Sequence, residues 1–287
     1  MARFRIGDDW RIPHETGQAI DRGWPAATGG RPHGVTWHWT ATWTLRRCSE
    51  LLGGPSALRR GQASAHCAVG RSFAEGVERY VELDDRAWHA GKEQRLRWDG
   101  RPYVDEAWKG ARTTIGVETV TIGYARPGVV AGRRWPVVDD PTGRRRLVVQ
   151  PWSDEQLTMM IAVGRAIVER WPAIGPRDHH GHHDLCPGDK VDVVGLPFAR
   201  LLRGIYDDPS IPDVWTPTRT IAGRRRALAR LGLAGATEIS PEAPWSTTDD
   251  EGLRRAQAEL GLTVDGLWTQ AVSWAVHDAL ADGRLTQ

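Results

Sequence analysis

Between Gly34 and Thr40 the chain alternates without a break. Val35, Trp37 and Trp39 fall on one side, and Thr36, His38 and Thr40 on the other. A two-residue period is that of a β-strand, so His38 lies on a polar face opposite the tryptophans. Two later segments have the same character. Ser64–Val69 carries His66 among small residues, and Thr114–Val120 sets Ile115, Val117 and Thr119 against Glu118. Helical patterns lie between and after them. Thr44 caps a short helix with Leu45, Cys48, Leu51 and Leu52 on one side. Ser153-Asp-Glu-Gln156 reads as a capping box opening a helix to about Trp171. Its buried stripe is Leu157, Met160, Ile161, Ile167, Val168 and Trp171. Residues 135–150 read as a hairpin around Asp140–Gly143, and Phe198, Leu201, Leu202 and Ile205 mark a further amphipathic helix.

A loop dense in histidine, Asp178 to Gly195, holds His182, His183, Asp184, Lys190 and Asp192. Zinc binds imidazole nitrogen and carboxylate oxygen, and a catalytic zinc keeps three protein ligands. A loop that wraps back brings His182 and Asp192 to one metal; the same residues serve equally as plain surface. His38 and Glu118 are each explained singly as a hydrogen-bonded core histidine and a structural buried acid. Together with the loop they supply a third ligand and a general base, the minimum set for zinc-assisted hydrolysis.

Charge and cysteine content exclude several classes. A net charge of +2 lacks the basic excess of a nucleic-acid binder. The runs Arg133-Arg134, Arg144–Arg146 and Arg224–Arg226 read as solvated surface. Cys48, Cys67 and Cys186 imply no disulfide framework and read as reduced structural residues. No apolar run has the length of a signal peptide or of a membrane span. The expectation is a monomer made in the cytoplasm without a signal peptide and without stable membrane insertion.

Several motifs, in order, resemble the zinc N-acetylmuramoyl-L-alanine amidases, a family that includes the peptidoglycan recognition proteins. VTWHWTAT resembles the first-strand motif and places a zinc ligand on His38. ASAHCAVG resembles the next strand and places His66 on the cleft floor. AWHAG (Ala87–Gly91) implies that His89, with Trp88 beside it, lines the substrate groove. TIGVETV resembles the strand of the catalytic acid, which falls on Glu118. GHHDLCPGDKVDV resembles the family's ligand loop, placing the remaining zinc ligands on His182 and Asp192 and a catalytic lysine on Lys190. Three positions depart from the pattern: His183 where arginine is common, Asp189 where a basic residue is common, and Val193 in place of proline.

The resemblance implies an α/β fold, a mixed central β-sheet flanked by helices, with zinc in a groove at one sheet face. The catalytic domain would span 1–210 with its core at 30–205. A linker with a basic helical segment would follow at 211–248, then a second, smaller all-helical domain at 249–287. In that last part, Leu253–Val276 resembles the three-helix peptidoglycan-binding module, with a turn at Asp265-Gly266 and a helix starting at Trp268 and Thr269. Two similar strings, Arg225–Leu233 and Arg254–Leu262, read as a coincidence of composition or a degenerate half-module. The implied partner is bacterial peptidoglycan. The implied role is an endolysin that reaches the wall after holin-type release, with cytosolic muropeptide recycling and non-catalytic wall recognition as the alternatives.

Overall fold

The computed structural model describes residues 20–52, 63–91, 96–97, 99–101, 109–125, 135–233 and 243–283. Arg133-Arg134 lie outside them. In chain order the elements are β1 (Ile20–Asp21), β2 (Gly34–Trp39), α1 (Leu45–Leu52), β3 (Cys67–Val69), β4 (Val77–Arg79), β5 (Arg86–Ala87), α2 (Gly110–Thr113), β6 (Thr114–Thr119), β7 (Tyr124–Ala125), β8 (Val137–Asp139), β9 (Arg146–Val149), α3 (Asp154–Arg170), β10 (His179–Gly181), α4 (His182–Leu185), α5 (Phe198–Tyr206), α6 (Ile221–Arg230), α7 (Thr247–Glu259) and α8 (Gln270–Ala281).

The central sheet has the order β10-β2-β6-β3-β4. Its first four strands are parallel and β4 is antiparallel, so the sheet is mixed as expected. Register decides what each face carries. His38 on β2 stands opposite Glu118 on β6, which stands opposite Ala68 on β3. The other face sends Val35, Trp37, Ile115, Val117 and Cys67 into one core with Leu157, Met160, Val163 and Ile167 of α3 and Leu201, Leu202 and Ile205 of α5. The face bearing His38 is covered too, by α1 through Leu45 and Cys48 against Ala68, Tyr80 and Val120. β2 and β6 are therefore buried on both sides, and their polar residues must be partnered inside the protein.

Local signals account for the helix ends with two adjustments. Ser153 Oγ accepts from the Gln156 N–H at 3.1 Å. The Gln156 amide, however, donates to the carbonyls of Val120 and Val69, tying α3 to the sheet instead of closing the capping box. Thr44 caps α1 as expected, accepting from the Arg47 N–H at 3.2 Å. The buried stripe of α1 is Leu45, Cys48 and Ser49, while Leu51 is exposed. Ser49 takes that place because its hydroxyl reaches Tyr80 Oη at 2.9 Å.

The histidine-dense segment is not a free loop. His179–Gly181 is an edge strand parallel to β2, and His182–Leu185 is a helical turn. Its imidazoles are buried because each meets a distant partner. His179 Nδ1 accepts from Trp37 Nε1, its Nε2 meets Tyr206 Oη, and His180 Nε2 meets Thr36 Oγ1.

The described residues of the expected linker 211–248 are packed. Ile211 and Val214 belong to the main core, and α6 enters a second core through Ala227, Leu228 and Leu231. That core is completed by Leu253 and Ala256 of α7, Trp268, and Val272, Val276 and Ala279 of α8. The similar strings end α6 and α7 in the same way. Gly232 and Gly261 adopt φ of 71° and 68°. The next residue then donates back, Leu233 to Leu228 O at 3.0 Å and Leu262 to Gln257 O at 2.8 Å. Both are glycine helix stops, so the repetition is one of capping chemistry. Gln257 also braces the Asp265-Gly266 turn, its Oε1 accepting from both N–H groups.

The basic run at 224–226 is not uniformly solvated. Arg224 is buried and donates to the carbonyls of Thr218, Asp140 and Asp139 at 3.0, 2.8 and 3.0 Å. The helical unit is fastened to the sheet unit by further contacts. Trp274 of α8 lies in the main core. The Trp268 N–H donates to Pro141 O at 2.9 Å. The Gln270 N–H donates to Asp184 Oδ1 at 2.7 Å, and its side chain donates to His179 O. All three cysteines are buried and none forms a disulfide.

Candidate metal centre

Three separate segments bring His38, His182 and Asp192 together, their donor atoms within 4.8 Å of one another. β2 delivers His38 and the first residue of α4 delivers His182. The chain after α4 returns through a bridge between Pro187 and Lys190 to deliver Asp192. Asp192 Oδ2 lies 3.1 Å from Nδ1 of both histidines. The imidazole rings meet edge to face, 4.5 Å between centroids.

Asp192 is held from behind by residues the sequence left without a role. Its carbonyl accepts from the His183 N–H at 2.6 Å and stands 3.0 Å from His183 Nδ1. Gly181 gives the His183 ring its space, since a Cβ there would overlap it. Asp184 Oδ2 accepts from the Gly181 N–H at 2.8 Å, fixing the start of α4 beside His182. His183 departs from the family pattern, yet it holds Asp192 through the main chain.

Electrostatics separate the groups by role. Burial, reinforced by His182, pushes the His38 imidazole down to about 4. The Asp192 carboxyl is raised by burial, but the His182 and His38 imidazoles outweigh that and hold it well below the usual range. Burial first, and the Asp192 charge second, push the Glu118 carboxyl up to about 8. Glu118 Oε2 and His182 Nε2 are buried without a hydrogen-bond partner among the described residues. Such atoms are costly in a folded protein unless a ligand or substrate engages them. Two imidazoles and one carboxylate converging on one point form a donor set suited to zinc. Lys190 lies close enough for its charge to oppose protonation of His38.

The other expected site residues differ in exposure. Trp88 is 46% exposed. His66 and His89 are buried. His66 is 0% exposed, and both its nitrogens are taken by the main chain: Nδ1 accepts from the Gly116 N–H at 2.9 Å and Nε2 donates to Asp85 O at 3.0 Å. His89 Nε2 donates to Thr114 O at 2.9 Å and its Nδ1 meets His38 Nε2 at 3.0 Å. The motifs placed both residues near the site, but only three-dimensional accounting shows that no nitrogen is left for a substrate.

A family model described as N-acetylmuramoyl-L-alanine amidase matches residues 28–192, more than half of the chain. No curated protein matches. Among solved structures, one similar fold is the N-acetylmuramyl-L-alanine amidase AmiD from E. coli. It was solved in complex with the substrate anhydro-N-acetylmuramic acid-L-Ala-D-γ-Glu-L-Lys. It is 18% identical, with a TM-score of 0.50 and 92% of each chain covered. AmpDh3 from Pseudomonas aeruginosa is 20% identical, with a TM-score of 0.49 and 98% of each chain covered.

Proposed function

Since this chain belongs to the N-acetylmuramoyl-L-alanine amidase family, we propose that it cuts the amide bond between the lactyl group of N-acetylmuramic acid and the first alanine of the stem peptide, using zinc held by His38, His182 and Asp192. The observation that carries this reading is the convergence of those three donors beside the unpartnered oxygen of a buried acid, Glu118. Zinc bound there supplies a Lewis acid and lowers the pKa of water from 15.7 to about 7.

The protein's own groups carry the protons and charges. Glu118 takes the proton of the attacking water and returns it to the departing alanine nitrogen. A carboxyl raised toward neutrality suits both transfers, because the most effective acid–base group titrates near the working pH. The Lys190 ammonium stabilises the oxyanion formed at the lactyl carbonyl; a well-placed donor of that kind is worth about 3 kcal/mol. The exposed indole of Trp88 offers an apolar face for a sugar or peptide group.

The substrate in this reading is the wall polymer, in a lytic role of the endolysin kind. The resemblance of Leu253–Val276 to a peptidoglycan-binding module supports that reading. Mass spectrometry of digested sacculi tests the bond: stem peptides with a free alanine amino group and peptide-free glycan are expected. Products that keep the lactyl–alanine linkage would overturn the assignment. Faster release from soluble muropeptides than from sacculi would favour recycling over lysis.

A further inference from the structure

A file of four imidazoles runs into the metal centre. His66 stacks on Trp24 at 5.9 Å, His89 meets His66 edge-on at 6.0 Å, His38 meets His89 at 5.2 Å, and His182 closes the file. The link between His89 and His38 is a nitrogen-to-nitrogen hydrogen bond, and its direction follows from the partner at the far end. A carbonyl only accepts, so the bond from His89 to Thr114 O places the proton of His89 on Nε2. A neutral imidazole carries one ring proton, so with Nε2 as donor Nδ1 is an acceptor. Nδ1 therefore accepts from His38 Nε2–H at 3.0 Å, and the bare nitrogen of His38 is Nδ1, the atom 3.1 Å from Asp192 Oδ2.

We propose that His89 is a positioning residue that locks His38 in its Nε2–H form, so that the ring turns a lone pair toward the metal. This rests on the zinc reading above. The fold builds a seat for the part. Position 116 is glycine, and a Cβ there would overlap the His89 ring. Thr114, whose carbonyl sets the chain of tautomers, is fixed in β6 and bonds through Oγ1 to Gly110 O at 2.6 Å and to Thr36 at 2.7 Å. His89 is 9% exposed with both nitrogens engaged, so its position explains ligand orientation and leaves nothing for substrate.

Two variants and one spectroscopic measurement test the proposal. His89→Leu keeps bulk but removes the acceptor; zinc affinity of the stripped protein, read by competition with a chromophoric chelator, falls about 10–100-fold. His89→Asn restores an acceptor oxygen near the Nδ1 position and recovers most of the loss. In the wild-type protein, long-range ¹H–¹⁵N spectra show His38 protonated at Nε2 with Nδ1 bare. A folded His89→Leu protein with wild-type zinc affinity overturns the proposal. So does a His38 signal protonated at Nδ1, even if the leucine variant fails to fold. Should the wild-type chain take up no zinc, the metal reading fails, while the tautomer signal still decides the part played by His89.

Discussion

Asp184 joins the segment that carries His182 to the helical unit, and its removal has a calculable cost. Its two carboxylate oxygens accept from two buried N–H groups: Gly181, just before His182, at 2.8 Å, and Gln270, the first residue of α8, at 2.7 Å. Asp184→Ala leaves both donors without an acceptor in a place water does not reach. Hydrogen bonds to a charged group contribute about 1.5–3 kcal/mol each, so the expected loss is about 3–6 kcal/mol. That is a large share of the 5–15 kcal/mol typical of a folded domain. Asp184→Asn keeps one carbonyl oxygen and is expected to lose roughly half as much. Asp278→Ala is the control within the same interface. Its pairing with Arg177 is partly exposed, so the expected cost is at most about 1 kcal/mol. Urea unfolding followed by tryptophan fluorescence reads all three, and a chelator titration reads zinc affinity, which is expected to fall with Asp184→Ala. An Asp184→Ala protein within about 1 kcal/mol of wild type, the size of an ordinary substitution, would show that the carboxylate does not hold the two units together.

Three further outcomes are expected. Glu118→Gln keeps stoichiometric zinc but loses amidase activity by about 10²–10⁴-fold, the usual contribution of a general base; hydrolysis at the wild-type rate removes Glu118 from that role. Burial holds His66 near 4 in the folded protein, below its ordinary 6.5, so folding favours the neutral ring. Its contribution is intact above pH 6.5 and is lost as pH falls toward 4, up to about 3 kcal/mol, and His66→Gln flattens the stability–pH curve over that window. Equal slopes for the two proteins between pH 4 and 6.5 refute it. Arg224→Leu strands three carbonyls and lowers stability by about 2–5 kcal/mol, whereas Arg226→Ala, two positions on at an exposed site, stays within about 0.5 kcal/mol; equal effects in thermal melts contradict the buried role.

What was legible in the sequence had a period or a spacing behind it. The alternation around His38 and Glu118 put both on one sheet face, and the resemblance of GHHDLCPGDKVDV to a known loop pointed to His182 and Asp192, which do converge. What escaped depended on partners far along the chain. His179 and His180 carry no apolar signal, so they read as loop; Trp37, Tyr206 and Thr36 make them an edge strand. Gln156 looked like a capping residue, but the sheet offered it two carbonyls. The triple arginine looked like solvated charge because burial of Arg224 is created by carbonyls more than eighty residues away, at Asp139 and Asp140. The motifs around His66 and His89 lie next to His38 in the fold. The partners of their ring nitrogens were not legible, because a one-dimensional reading does not count which nitrogens are engaged.

Trp274 makes the C-terminal helices a poor candidate for cut-and-paste engineering. The residue is numbered with the last helix but packs with the sheet unit. A chimera that exchanged the C-terminal helices for another segment would take Trp274 out of the main core and leave Asp184 Oδ1 without the Gln270 N–H it accepts from. A fused segment is therefore better added after α8 than in its place, which keeps both contacts.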